Sequence, residues 1–219
     1  MMRFGNMASG VISLISALEF IGAVSVQTTV QSTTLTITSP ATVLTGDLLV
    51  GITGVPIATA DQAWTVPAGW TKQIEQTDAP NICIATLVAT GDGSVDYSWG
   101  LGNAKYLGGA ILVYRGADYD KNGAIGHATG GGAITVPSID TTAANCAVIM
   151  ACFDTETNKS FPDITGWTDR SVAMSSSYPQ SWRIREKVFT AAGSTGTFSV
   201  NSSATNGESG GVLISIKPA

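Results

Sequence analysis

The chain is short of charge. Only 12% of its 219 residues are Asp, Glu, Lys or Arg, about half of the usual ~25%. The formal net charge is −5, from 11 cationic and 16 anionic side chains. Phosphate backbones are bound by clustered Lys and Arg. The only cationic cluster here is Arg183, Arg185 and Lys187, which alternate along one predicted strand. We therefore expect no nucleic-acid partner.

Cysteine and histidine are also scarce, which excludes several kinds of site. Cys83, Cys146 and Cys152 are odd in number and lack short spacings, so they form no disulfide framework. Cys146 and Cys152 share one apolar run at even spacing, which predicts small buried side chains on one side of a strand. The sequence holds no P-loop, dinucleotide fingerprint, paired-carboxylate site or Cys/His metal cluster. We expect neither a cofactor nor an enzyme activity.

The apolar run near the start is too short to span a bilayer. Arg3 and the run at 11–18 (VISLISAL) are similar to a secretory signal. Glu19 interrupts this run, at a cost to membrane insertion. We expect no membrane partner and interpret residues 1–26 as an apolar arm. The arm would dock on its own domain or on a neighbouring subunit, and we predict a homo-oligomer, with a trimer as one option.

Three stretches of the sequence occur twice, and a repeat has to be interpreted before anything else. The pairs are 66–71 (VPAGWT) with 163–168 (DITGWT), 37–40 (ITSP) with 134–137 (ITVP), and 108–114 (GGAILVY) with 210–216 (GGVLISI). Apolar alternation, as in the run from Ile82 to Ala89, and 25 glycines favour strands and turns over helices.

We therefore predict an all-β fold, a jelly-roll-like β-sandwich built from two internally repeated halves. Residues 1–33 form an N-terminal arm and first strand, and 34–219 form the duplicated sandwich. Its halves are about 34–118 and 131–218, with a flexible glycine-rich connector at 123–132 between them. The preferred arrangement pairs the sheets of both halves around one core, and two small separate sandwiches are the alternative.

One serine lies in a hydrolase-like pattern. Residues 207–211 (GESGG) fit Gly-x-Ser-x-Gly around Ser209, but that motif needs a helix after the serine and a downstream histidine. The one histidine, His127, falls in the predicted connector. The matching Gly108-Gly109 pair indicates a glycine turn entering the last strand. We predict no catalytic residue.

A calcium loop is the alternative interpretation of an acidic turn. Asp118, Asp120 and Asn122 place oxygens at positions 1, 3 and 5, and Gly123 follows at position 6. Thr129 stands at position 12, where a calcium loop has glutamate. We interpret the stretch as a turn between the halves and predict no metal site.

The five tryptophans have two interpretations, packing and sugar stacking. Trp70 and Trp167 occupy matching repeat positions, which indicates packing used twice. Trp99 and Trp182 alternate with polar neighbours and are predicted core residues. Trp64, in a predicted loop, is the one expected to be free to bind a glycan.

Three stretches in the first half of the sequence resemble a family of β-sandwich proteins encoded widely by tailed bacteriophages and prophages. The stretches are 45–50 (TGDLLV), 67–71 (PAGWT) and 110–118 (AILVYRGAD), and the resemblance extends over about 34–218. It implies a non-enzymatic virion part, and its motifs are structural, so it implies no active-site residues.

The function expected from this resemblance is that of a virion structural protein, chiefly a capsid decoration, cement or head-fibre protein that acts through subunit interfaces. Its partners would be other virion proteins, either the major capsid protein or tail components. Its location would be the virion, assembled in the host cytoplasm. The alternative is a tail-fibre, baseplate-associated or secreted module that binds carbohydrate.

Overall fold

The protein is built from strands and turns. The computed structural model describes residues 17–55, 62–77, 80–174, 178, 180–203 and 205–219. Its strands are β1 (Glu19–Gln27), β2 (Ser32–Thr38), β3 (Leu48–Val55), β4 (Thr71–Gln76), β5 (Asn81–Val88), β6 (Asp96–Lys105), β7 (Gly108–Arg115), β8 (Ala117–Asn122), β9 (Gly126–Ala128), β10 (Ala133–Val136), β11 (Asp140–Thr141), β12 (Cys146–Asp154), β13 (Thr168–Met174), β14 (Ser181–Phe189), β15 (Gly193–Ser194), β16 (Phe198–Asn201) and β17 (Ser209–Pro218). Within the described ranges there is no helix, and so none with the length and apolar character of a membrane span.

Two large antiparallel sheets dominate the fold. Sheet 1 has the order β1-β7-β3-β5-β4, and sheet 2 has the order β13-β14-β12-β17-β8, with β9 also pairing with β17. Two-stranded sheets are formed by β2 with β6, β10 with β16, and β11 with β15. The prediction of an all-β sandwich is confirmed.

Sheets 1 and 2 face each other across one shared core. Every second residue of their inner strands enters it, because successive side chains of a strand point to opposite faces. The core includes Ile82 and Ile84 from β5, Leu112 and Tyr114 from β7, Ile149 and Phe153 from β12, Trp182 and Ile184 from β14, and Val212 and Ile214 from β17. Both large sheets thus contribute to one central core.

The outer face of each large sheet is covered by a two-stranded sheet. Residues such as Leu49, Cys83 and Ile111 of sheet 1 pack with Leu35 and Trp99 of the β2–β6 pair. In the same way, Val148, Met150 and Cys152 of sheet 2 pack with residues of the β10–β16 pair. Because both of their faces are covered, β3 and β12 are buried along their whole length. The three cysteines are free and buried, and burial of Cys146 and Cys152 was predicted.

The two large sheets have matching strand orders. Numbered along the chain, β1, β3, β4, β5 and β7 of sheet 1 take the same places as β8, β12, β13, β14 and β17 of sheet 2. Gly69 and Gly166, each before a tryptophan, have φ values of 84° and 81°. β4 and β13 each carry a bulge, at Gln73 and at Arg170. These observations support duplication, which itself stays a prediction from the sequence.

Two glycine-rich stretches differ from the sequence predictions. The stretch expected to be a flexible connector contains β9, which pairs with β17, and a Cβ on Gly126 would overlap the carbonyl oxygen of Thr135. The expected glycine turns are instead the beginnings of β7 and β17. A Cβ on Gly108 would lie 2.5 Å from the Trp182 ring, so glycine is needed there for close approach of the two sheets.

A polar network joins the two sheets at one end of the core. The hydroxyl of Tyr114 in β7 donates a hydrogen bond of 2.6 Å to Glu186 in β14. Glu186 also forms a 2.8 Å ion pair with Arg170, whose guanidinium lies 3.9 Å from the centre of the Phe20 ring in β1. Burial, followed by the charge of Glu186, raises the pKa of Tyr114 well above its usual value. Tyr114 therefore stays a neutral donor to a charged acceptor.

Replacing Tyr114 with phenylalanine should destabilise the protein by about 1.5–3 kcal/mol, because a buried carboxylate oxygen loses its hydroxyl donor. The free energy of unfolding in urea measures the change. Tyr97→Phe is the matched control, because its hydroxyl has no hydrogen-bond partner among the described residues, and it should change stability by less than about 0.5 kcal/mol. Equal losses in the two variants would contradict a role for the Glu186 contact.

Candidate functional site

The serine of the hydrolase-like pattern is a buried structural residue. Ser209 is 0% exposed, and its hydroxyl donates a 2.7 Å hydrogen bond to Oδ2 of Asp154. The backbone of His127 pairs with Gly210 next to it, but the His127 ring contacts the side chain of Gln76. The structure thus brings serine, aspartate and histidine into one region without aligning them as a triad. Buried Ser209 is also out of reach of a substrate.

Asp154 and Glu156 hold two loops together at this end of sheet 2. Oδ1 of Asp154 accepts a 2.8 Å hydrogen bond from the amide of Glu156, and Oδ2 also accepts the hydroxyl of Ser202. Oε1 of Glu156 accepts the amides of residues 205–207, and Oε2 pairs with Lys159 at 2.7 Å. Sequence reasoning missed this cluster, because the donors to Glu156 are backbone amides about fifty residues away.

The calcium-loop residues lie along β8 and form no loop. Asp118 is exposed, whereas the carboxylate of Asp120 accepts hydrogen bonds from the Thr142 amide and the Ser215 hydroxyl, both at 3.0 Å. Asn122 accepts the hydroxyl of Tyr119. Among the described residues, no group of three or more His, Cys, Asp or Glu side chains is placed to hold a metal ion. The prediction of a turn at these residues is wrong, because they belong to strand β8 of sheet 2.

Trp64 is not the free aromatic side chain that the sequence predicted. It is 2% exposed, and its indole N–H donates a 2.9 Å hydrogen bond to Asn81. Its backbone N–H donates to Glu75, and its carbonyl accepts a 2.5 Å hydrogen bond from Lys72. These three polar contacts hold the Trp64 loop against the outer core of sheet 1. The local sequence gave no sign of them, because none of the three partners lies within the loop.

The other tryptophans serve packing, as predicted. Trp99 and Trp182 are 0% and 1% exposed. Trp70 packs edge-on against Trp99, with ring centres 5.1 Å apart, and against Tyr97 at 5.0 Å. Trp167 packs edge-on against Phe198 at 5.2 Å. Each Gly-Trp-Thr turn thus places its indole on an aromatic ring from the covering pair of strands.

The cationic cluster on β14 is used inside the protein. Arg183 donates to Asp169 at 2.7 Å and also contacts Asp163 and the carbonyl of Phe161. The hydrogen bonds that Arg183 donates to Asp169 raise the pKa of Arg183 above its usual value. Arg185 is 1% exposed and donates to the carbonyl of Pro162 at 2.9 Å. Both arginines therefore hold the loop around 161–169 against sheet 2, and neither offers a free basic surface.

Among the clefts at the surface of the described residues, two are bordered by exposed apolar side chains and are candidate binding surfaces. The first, of about 190 Å³, lies beside the edge strand β13 and is lined by Lys159, Ser160, Phe161, Asp169, Val172, Met174, Trp182 and Arg183. The second, of about 590 Å³, lies at the end of sheet 1 and is lined by Ala68, Gly69, Leu87, Val88, Thr90, Gly91, Asp92, Val95 and Tyr97. Exposed apolar side chains border both, namely Val172 and Met174 at the first and Val88 and Val95 at the second. Apolar surface of this kind is typical of contact sites.

An ion pair connects the stretch 45–50 with the stretch 110–118. Asp47, in 45–50, is 2% exposed, and its two carboxylate oxygens each accept a 2.9 Å hydrogen bond from Arg115, in 110–118. Oδ2 of Asp47 also accepts the amide of Leu44 at 2.8 Å. Such a two-point contact fixes geometry as well as charge. The motif residues Asp47, Arg115 and Trp70 thus all stabilise the first half of the sandwich.

Acid should weaken the two-loop contact at Glu156. The bond to Lys159 and the amide of Asn206 lower the pKa of Glu156 from 4.5 to about 2. Its contribution to stability is therefore complete above about pH 4.5 and is lost as the pH falls towards 2. In Glu156→Gln, the unfolding free energy measured from pH 6 to pH 2 should fall less steeply than in the wild type. Parallel curves would contradict the assignment.

No protein-family model, no curated protein and no solved structure matches the chain.

Proposed function

We propose that this protein is a non-enzymatic structural subunit of a tailed-bacteriophage virion, chiefly a capsid decoration, cement or head-fibre protein that works through its surfaces. The observation that carries the proposal is the contact between the stretches 45–50 and 110–118, two of the three that resemble the phage family. Residues 48–50 and 110–115 of these stretches lie on adjacent strands, β3 and β7, and Asp47, just before β3, pairs with Arg115 at the end of β7. The resemblance therefore rests on residues that build one structural unit, as expected for a scaffold.

The distribution of charge supports a protein that acts by contact. Several of its few charged side chains form ion pairs within the protein, such as Arg115 with Asp47 and Arg170 with Glu186. Interface cores are poor in charge, and the exposed residues Val88, Val172 and Met174 add apolar surface. Two extended sheets with open edges would also give a particle subunit several directions in which to contact neighbours.

The test is to ask whether the protein is part of assembled particles. Particles released from the source cells would be purified on a density gradient, and their proteins identified by mass spectrometry. The chain should sediment with the particles in fixed ratio to the major capsid or tail proteins, whereas abundant host proteins should be depleted. Particles that lack the chain would contradict the proposal. Chemical cross-linking within the particles would then distinguish capsid neighbours from tail neighbours.

The structure changes the design of an arm-deletion experiment. Removing residues 1–26 would delete most of β1, whose Phe20 packs on Tyr114 at a ring-centre distance of 5.4 Å. Such a variant would lose part of sheet 1 as well as the arm, so a failure to assemble would have two explanations. A deletion of 1–16 leaves every described residue in place. Of the predicted arm at 1–26, residues 19–26 belong to β1 and pair with β7 of the same chain, whereas residues 1–16 lie outside the described residues.

A carbohydrate-binding role is the second candidate, and the cleft beside Tyr97 is the observation that favours it. The cleft combines a half-buried aromatic ring with Thr90 and Asp92 on its border. Aromatic rings with a polar edge suit ligands that are apolar on one face and polar on the other. On a glycan array the protein should bind a defined set of sugars, and Tyr97→Ala should abolish binding. Tyr106→Ala is the matched aromatic control, and no binding by the wild type would remove this candidate.

A further inference from the structure

The four outer strands of the two large sheets differ in how they are protected from pairing with another chain. An unpaired strand edge is a template for association, and proteins block it with charges, bulges and short length. β4, β8 and β13 each carry two or more charged residues and a bulge. In β1 the bulge and the only charged residue, Glu19, lie at the start of the strand.

The rest of β1 is a regular, uncharged strand. Residues 22–27 (GAVSVQ) pair with β7 without a register shift, and they contain neither proline nor a charged side chain. Among the described strands, only β7 pairs with β1, and the other edge of β1 has no hydrogen-bonded strand among them. Val24 and Val26 pack partly on the outer core of sheet 1, whereas Ser25 is exposed. β1 is thus the described edge with the least protection against another strand.

We propose that β1 is a self-association edge, at which β1 strands from two copies of this chain pair antiparallel about a two-fold axis midway between the two Ser25 residues. The occupant of the open edge is therefore a second copy. Sheet 1 of one copy and sheet 1 of the other become one continuous ten-stranded sheet, five strands from each. The proposal concerns the protein in solution and does not depend on a role in a virion.

The register follows from the side-chain pattern of β1. A two-fold axis perpendicular to the sheet keeps each side chain on its own face, so one residue must lie opposite its own copy, with the axis midway between the two. With Ser25 on the axis, Val24 of each copy lies opposite Val26 of the other, which gives two valine–valine pairs. With Val24 on the axis, Val26 would face Gly22, and one of these pairs would be lost. The Ser25 register therefore gives more apolar contact.

A second copy fits this edge better than a charged partner does. An isologous interface has to be self-complementary, and a strand without charge has no like charges to place opposite themselves. β4, with Lys72 and Glu75, and β13, with Asp169 and Arg170, would set charged side chains within or beside a self-paired ladder. Like charges directly opposite each other are destabilising. The same physical rule that protects the other edges leaves β1 free to pair.

A single thiol at position 25 tests the register. The native cysteines are buried, and burial raises the pKa of Cys83 and Cys152 to about 12, so they give little background. With glutathione disulfide as oxidant, Ser25→Cys should form a disulfide-linked dimer of the full chain, visible on a non-reducing gel. Thr71→Cys, at an exposed position on β4, is the control and should stay monomeric on that gel. No dimer from Ser25→Cys, or equal dimer from the control, would overturn the proposal.

A charge at the same position tests the association itself. Light scattering should give the wild-type chain the mass of a dimer or a multiple of it. Ser25→Lys would place two lysines opposite each other and should raise the dissociation constant about five- to tenfold. Thr71→Lys, exposed on β4 at the opposite edge of sheet 1, is the matched edge control and should leave the mass unchanged. Circular dichroism would check that both variants fold. A monomeric wild type, or dissociation caused by Thr71→Lys instead, would overturn the proposal.

Discussion

The whole structure depends on the need of two large sheets to cover both of their faces. Neither inner face can stay in water, because it carries an almost continuous apolar surface, and burying the two against each other forms the central core. The close approach has a steric condition. Gly54 and Gly108, paired across β3 and β7, lie under the rings of Phe153 and Trp182, where a Cβ on either would come within about 2.6 Å of an aromatic carbon. The paired glycines let the sheets meet at that end.

Polar contacts then join the sheets at the two ends of this core. At one end Tyr114 reaches across to Glu186, and at the other the side-chain amide of Gln180 donates a 2.8 Å hydrogen bond to the carbonyl of Gly54. Apolar burial has no directional preference, whereas a buried polar group left without its partner costs free energy. The two contacts therefore favour one relative placement of the sheets over others that bury a similar apolar area.

The sequence predicted features that arise from alternation, and it failed where partners come from distant parts of the chain. Ile82 and Ile84 enter the central core while Cys83 and Ala85 face the outer one, as their period of two implies. Trp64 was misjudged because the residues that bury it, such as Asn81, lie outside its loop. The connector was misjudged because glycine indicates flexibility locally, yet here it permits a close packing contact. The Asp118 pattern matched the first positions of a loop, but the backbone there is extended by pairing with β17.

The inner faces of the two large sheets pack against each other in one core, whereas their outer faces are covered by different side chains. On sheet 1, Ala85 lies opposite Gly51, whose missing Cβ leaves room for the rings of Trp70 and Trp99. On sheet 2 the matching place holds Arg185, opposite Met150, and the loop above it is held by hydrogen bonds and ion pairs. A substitution on an inner face would disturb the contact between the two sheets. A substitution on an outer face would affect only the packing of that sheet against its own covering strands. The outer faces and strand edges are therefore where such a sandwich can acquire a distinct partner without changing the core that holds it together.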